Sequence, residues 1–137
     1  MLHRLVSLLL VAALATASAA CEGMKGLLAL QQGLAAEFDT RAVAVNVVNG
    51  TSLIVTFTNS RLGELETTEQ AAACRRVAEY VRDHYPGYDR LDVISVAFAD
   101  QRRVGPVSMT KSRMPCSLRT SDLGRPRRGI SLQRPGA

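Results

Sequence analysis

The stretch "RAVAVNVVNGTSLIVTFTNS", residues 41–60, decides the fold because it predicts a β-hairpin. Apolar and other residues alternate on both sides of Asn49-Gly50, and this alternation is typical of paired strands with one buried face. A two-residue turn would place the two apolar rows on opposite faces of the hairpin. A three-residue loop over residues 48–50, with its glycine in the left-handed region, places both rows on one face and pairs Val45 with Leu53. We therefore predict the three-residue loop.

Two helices are predicted around this hairpin. Apolar residues recur at helical spacing over residues 22–38, which favours a first helix. A second apolar stripe runs from Cys74 to Tyr85. Thr67 and Gln70 have the spacing of a capping box at the start of that helix, and the Pro-Gly pair after Tyr85 ends it.

Two further strands complete the predicted sheet. Residues 91–99 are apolar on both faces, which is typical of an interior strand, and residues 107–114 follow a Gly-Pro turn as a weaker fourth strand. The sequence thus predicts a small two-layer α+β domain. A three- to four-stranded sheet with an N-terminal hairpin carries two helices on one face.

The charge distribution divides the chain into three parts. The net charge is +5, but residues 21–118 contain eleven basic and eleven acidic side chains. The excess comes from the first 20 residues and from the Arg-, Pro- and Gly-rich residues 119–137. We expect a single domain over residues 21–118, a disordered basic tail after it, and no nucleic-acid partner.

Residues 1–20 have the three parts of a secretory signal peptide. His3 and Arg4 form a short positive end, "LVSLLLVAAL" is the apolar part, and "ATASAA" supplies small residues. The apolar run is too short to span a ~30 Å hydrocarbon core comfortably as a permanent helix. We therefore expect an exported protein without a spanning helix.

The residues up to Cys21 resemble the lipobox of bacterial lipoproteins. Ala17, Ser18, Ala19, Ala20 and Cys21 fit its permissive form, although the family usually has leucine where this chain has Ser18. The resemblance implies a lipid on Cys21, attachment to a membrane through that lipid, and a place in the cell envelope. The small residues also suit the general signal peptidase, which would cut after Ala19 or Ala20 and leave a soluble secreted or periplasmic protein.

The cysteine count supports a role for Cys21. The chain has three cysteines, and an exported protein with an odd number has one left over. A lipid on Cys21 would leave Cys74 and Cys116 to form a disulfide. The alternative is that Cys74 is a small buried helix residue and Cys116 a free thiol.

Few side chains in the sequence suggest catalysis. After the signal there is one histidine, His84, so a two-histidine zinc site is excluded and no metal or cofactor is expected. We expect a protein that is not an enzyme; a hydrolase that uses Glu64, Glu66 or His84 is the weaker hypothesis. All three tyrosines and two arginines lie close together, and we predict from them a contact surface for an envelope protein or glycan, formed by Tyr80, Arg82, Tyr88 and Arg90. The alternative is that these tyrosines are core and helix-end residues.

Overall fold

The structure is a computed structural model that describes residues 21–127. Helix α1 covers residues 21–37. The elements that follow are strands β1 (Val43–Val48) and β2 (Ser52–Thr58), helix α2 (Thr67–His84), strands β3 (Val93–Val104) and β4 (Val107–Arg119), and the short helix α3 (Thr120–Leu123). Two 3-10 turns, Arg61–Glu64 and Tyr88–Arg90, precede α2 and β3. The predicted signal peptide, residues 1–20, lies outside the described residues.

The four strands form one mixed sheet in the order β1-β2-β3-β4. β1 and β2 are antiparallel, β2 and β3 are parallel, and β3 and β4 are antiparallel. Because α2 connects the two parallel strands, the chain crosses from one end of the sheet to the other between them. The predicted α+β class, the N-terminal hairpin and the interior position of the third strand are confirmed.

The hairpin has a three-residue loop, but one residue later than predicted. Val45 pairs with Val55, so the predicted pairing of Val45 with Leu53 is wrong by two positions. The loop is 49–51, and both Asn49 (φ 54°) and Gly50 (φ 74°) have left-handed backbone conformations. Asparagine and glycine tolerate this conformation better than other residues, which explains why the loop begins at Asn49. A two-residue difference in register leaves the same apolar rows on the buried face.

The core lies between the sheet and the first two helices. α1 contributes Leu30 and Leu34, and α2 contributes Val77 and Val81 to a cluster of buried residues. The facing residues of the sheet are fully buried or nearly so: Leu53, Val55, Phe57, Ile94, Val96 and Phe98. These six belong to paired positions of β2 and β3, so both helices cover the same face of the sheet.

The predicted capping box at the start of α2 does not form. Glu66 is the N-cap residue, and no side chain caps the helix. Gln70 therefore lies one position beyond the one that a capping box requires. Its buried side-chain amide instead donates a hydrogen bond of 2.9 Å to the carbonyl oxygen of Gly63.

The domain extends beyond the predicted C-terminal boundary at residue 118. β4 ends at Arg119, and α3 follows it with the buried side chain of Leu123. The backbone N–H of Arg127 donates to the carboxylate of Asp83 on α2, at 3.0 Å. Residues 119–127 therefore belong to the folded domain and not to a disordered tail. The remainder of the predicted tail, 128–137, lies outside the described residues.

Candidate functional site

Cys21 is an exposed, unbonded cysteine at the beginning of the described chain. Residue 21 is already helical, so no linker separates it from α1. Met24 and Leu28 follow at three and seven positions and are 73% and 54% exposed. Residues at this spacing share one side of a helix. Cys21 therefore shares an exposed side of α1 with Met24 and Leu28.

The other two cysteines form a disulfide bond, as predicted. Cys74 of α2 is bonded to Cys116 of β4, with a distance of 6.4 Å between the two Cα atoms. The bond joins the helical layer to an edge strand of the sheet. It closes a loop with a sequence separation of 42 residues. On the chain-entropy model such a loop stabilises the fold by ~4 kcal/mol.

The four residues of the predicted contact surface have different environments. Arg82 and Tyr88 are 6% and 5% exposed, so neither side chain is available to a partner. Tyr80 is half-buried, and its ring stacks on that of His84 with 3.9 Å between the centroids. Arg90 is exposed. Sequence reasoning placed these residues together because they are close along the chain, but α2 turns Arg82 inward.

Arg82 has a structural role. Its Nε and Nη2 atoms donate to the two carboxylate oxygens of Asp83, at 2.7 and 3.0 Å. Its Nη1 atom donates to the carbonyl oxygen of Leu123, at 2.9 Å. The hydrogen bonds from Arg82 to the carboxylate, followed by that from the backbone N–H of Arg127, lower the pKa of Asp83 from 3.8 to about 2. The arginine and the aspartate together hold the C-terminal segment against α2.

Tyr88 holds the same segment from its other side. Its hydroxyl lies 3.1 Å from the carbonyl oxygen of Thr120 and 3.0 Å from that of Gly124, and donates to this pair. Burial raises the pKa of this hydroxyl, which keeps it protonated as a donor. The residues joined by the hydrogen bonds of Arg82 and Tyr88 are 32 to 41 positions apart in the sequence, so no local sequence pattern reveals these bonds.

The residues suggested for hydrolysis are not brought together. Glu64 and Glu66 are exposed at the start of α2, whereas His84 is its last residue. The 18 residues of the helix put ~25 Å between its ends. His84 Nδ1 lies 2.9 Å from the carbonyl oxygen of Tyr80, one turn earlier. Within residues 21–127, no group of three or more His, Cys, Asp or Glu side chains could hold a metal ion.

Sequence reasoning missed a projecting hairpin at the ends of β3 and β4. Residues 101–112, here called the arm, are all exposed. The arm includes the turn at Gly105 and three exposed apolar side chains: Val104 (65%), Val107 (58%) and Met109 (64%). The available signal was the alternation of Val107, Met109 and Lys111 with hydroxyl-bearing residues after Gly105-Pro106. That pattern predicts only a turn and a weaker fourth strand.

Comparisons of the chain with protein-family models, curated proteins and solved structures find no match. In the part of the chain from residue 21 to residue 127, no helix combines the length and apolar character needed to cross a membrane.

Proposed function

We propose that this chain is an exported lipoprotein, held to a membrane by a lipid on Cys21. Its α+β domain acts in the cell envelope as a binding or structural element without catalysis. The observation that carries the proposal is that Cys21 is exposed and unbonded while the other two cysteines are bonded to each other. Lipid attachment requires an accessible free thiol, and Cys21 alone has one.

The disulfide supports the exported location in this proposal. Structural disulfides persist in oxidising compartments such as the bacterial periplasm and are rare in the cytosol. The bond between Cys74 and Cys116 is therefore consistent with the signal peptide that residues 1–20 predict. It also removes both thiols that could compete with Cys21 for modification.

The arrangement of polar side chains supports a binding role over a catalytic one. A general acid–base pair has to converge on one substrate position. Glu64 and His84 lie at opposite ends of α2, and the partly buried ion pair of Arg82 and Asp83 is hydrogen-bonded to backbone groups of the C-terminal segment. The arm is exposed along its whole length and carries three exposed apolar side chains, which suits contact with a partner.

The anchor is tested by fractionating cells that produce the full chain with Cys21→Ala. The variant should move from the membrane to the soluble fraction or stay as the uncleaved precursor, and the mature wild-type mass should exceed the sequence mass by the lipid. Ser18→Leu is the matched control, because it restores the usual lipobox residue and should keep the protein in the membrane. Retention of the whole Cys21→Ala population as a mature protein in the membrane fraction would contradict the proposal.

The second candidate function is a soluble secreted or periplasmic protein. The observation that favours it is Ser18 among small residues that suit the general signal peptidase. It requires a mature chain that begins after Ala19 or Ala20 and carries no lipid. The intact mass of the mature wild-type protein, measured before and after reduction, distinguishes the two candidates.

A further inference from the structure

The arm extends the sheet beyond the part that the helices cover. Phe98 and Ala99 are buried, but every residue from Gln101 to the tip at Val104 is exposed. Each residue of a strand advances about 3.3 Å, so the arm projects roughly 13 Å past the core. Antiparallel pairing with β4 continues to Val104 and Val107, which keeps the arm a regular two-stranded ribbon.

The arm carries positive charge without acidic partners of its own. It contains Arg102, Arg103 and Lys111 and no acidic residue. Lys111 lies opposite Asp100 in the register of the two strands. Within residues 21–127, neither Arg102 nor Arg103 forms an ion pair. The cost of holding these charges close together favours an acidic partner at this position.

One face of the arm combines two of these charges, Arg102 and Lys111, with apolar side chains, whereas Arg103, opposite Ser108, lies on the other face. Arg102 lies opposite Met109, and Val104 lies opposite Val107. Cross-strand pairs such as these point to the same face of a ribbon, and alternate pairs share that face. Exposed apolar side chains surrounded by charged ones are typical of a surface that contacts another macromolecule.

The outer edge of β4 is free. β4 is the last strand in the order β1-β2-β3-β4, so on its other side no strand among residues 21–127 satisfies its backbone groups. An extended peptide can add to such an edge through main-chain hydrogen bonds, while its side chains select the partner.

The charge of β4 argues against a second copy of this chain at that edge. β4, "VSMTKSRMPCSLR", contains Lys111, Arg113 and Arg119 and no acidic residue. Pairing β4 with another β4 would bring like charges together, which is destabilising. An acidic strand would instead place carboxylates beside these side chains. We propose that the arm is the docking site for an extended acidic segment of a partner protein, which adds to the free edge of β4. This proposal rests on the binding role proposed above but not on the lipid anchor.

The test measures binding of a labelled, capped peptide that alternates glutamate with valine and threonine. The mature protein is used with its disulfide intact, and fluorescence anisotropy reports binding. The peptide should bind, an analogue with lysine in place of each glutamate should not, and raising the salt from about 50 to about 300 mM should weaken binding because the charges are exposed. Arg102→Glu with Arg103→Glu should lower the affinity by about tenfold or more.

The matched control is Lys25→Glu with Arg125→Glu. It makes the same change of charge at exposed positions of α1 and of the segment after α3, at the other end of the domain. This control should bind the acidic peptide within about twofold of the wild type. Because Arg102 and Arg103 form no ion pair in the described chain, their replacement should leave the circular dichroism spectrum and the disulfide unchanged.

Four results would overturn the proposal. The first two are no binding of the acidic peptide, and equal binding of that peptide by the arm variant and the wild type. The other two are a dimer in light scattering that the arm variant abolishes, and arm-dependent binding to phosphatidylglycerol vesicles in place of the peptide. The dimer would mean that a second copy occupies the edge, and the vesicle result would mean that the occupant is a membrane. Because a lipid would itself drive vesicle binding and self-association, each measurement is repeated with Cys21→Ala protein, so the two proposals fail separately.

Discussion

Replacing Asp83 by asparagine should remove a stabilisation that depends on pH. The carboxylate accepts two hydrogen bonds from Arg82 and one from the backbone of Arg127, and its pKa is lowered from 3.8 to about 2. One pKa unit is equivalent to about 1.4 kcal/mol. Since the side chain is 23% exposed, water screens part of this interaction. We expect Asp83→Asn to lower the free energy of unfolding by about 2 kcal/mol at pH 7.

The direction of the pH dependence follows from the lowered pKa. A carboxyl group that is more acidic in the folded chain than in the unfolded chain stabilises the fold fully above its unfolded pKa. This stabilisation is lost as the pH falls from about 4 to about 1, through the pKa of the folded carboxyl group. The difference between the wild type and Asp83→Asn should therefore shrink from about 2 kcal/mol at pH 7 to about 0.4 kcal/mol at pH 2 and to nearly zero at pH 1. Protonated aspartic acid and asparagine are then similar in charge and shape.

Urea unfolding, followed by circular dichroism with the disulfide intact, measures this difference at each pH. Other carboxyl groups titrate in both proteins, so subtracting one curve from the other isolates Asp83. Arg82→Gln supplies the control, because in its background Asp83→Asn should have a much smaller effect. A difference that is the same at pH 7 and pH 2, or an undiminished effect of Asp83→Asn in the Arg82→Gln background, would refute the reasoning.

Three further predictions concern stability. Replacing Cys74 and Cys116 together by alanine should lower the free energy of unfolding, measured with urea, by ~4 kcal/mol. A decrease below about 1 kcal/mol would show that the loop closed by the disulfide contributes little to stability. Leu123→Ala should cost about 2 to 3 kcal/mol, because that side chain is 6% exposed, whereas an unchanged thermal midpoint would mean that α3 does not pack on the domain. Gly33→Ala should lower the free energy of unfolding because its new Cβ would clash with the hydroxyl of Tyr80. In a double-mutant cycle, Tyr80→Phe should reduce the destabilisation caused by Gly33→Ala. Additive effects of the two substitutions would argue against this contact.

The α+β class and the interior strand could be predicted from the sequence because both depend on the spacing of apolar residues along the chain. β3 is apolar on both faces, and all of residues 94–99 are buried, which is the pattern of an interior strand. The exact register of the hairpin could not be predicted in this way. A shift of two residues preserves every buried position, so the register is determined by the left-handed backbone conformations of Asn49 and Gly50 in the loop.

The C-terminal segment and the arm were harder to predict for two different reasons. Leu123 is an isolated large apolar residue in a polar stretch. Arg82 and Tyr88, which hold its segment by hydrogen bonds to backbone carbonyl oxygens, are distant in the sequence. The arm lacks a buried face, so its strands depend on backbone pairing alone and show no clear alternation of burial. The number of cysteines made the disulfide one of two alternatives, and the choice between them needed the distance between Cys74 and Cys116, which the sequence does not contain.

The absence of a linker after Cys21 has a mechanical consequence for a lipid-anchored protein. A flexible tether would let the domain tumble, whereas a helix that includes the anchored residue transmits its own direction to the rest of the fold. Gly26 lies against Pro86 near the start of β3, and Phe38, just beyond the other end of α1, contacts Phe57 near the end of β2. α1 therefore points the same way as β3, whose 12 residues span roughly 40 Å. With a lipid on Cys21, the first turns of α1 would lie at the bilayer surface, and the tip of the arm would be held at a fixed distance above that surface.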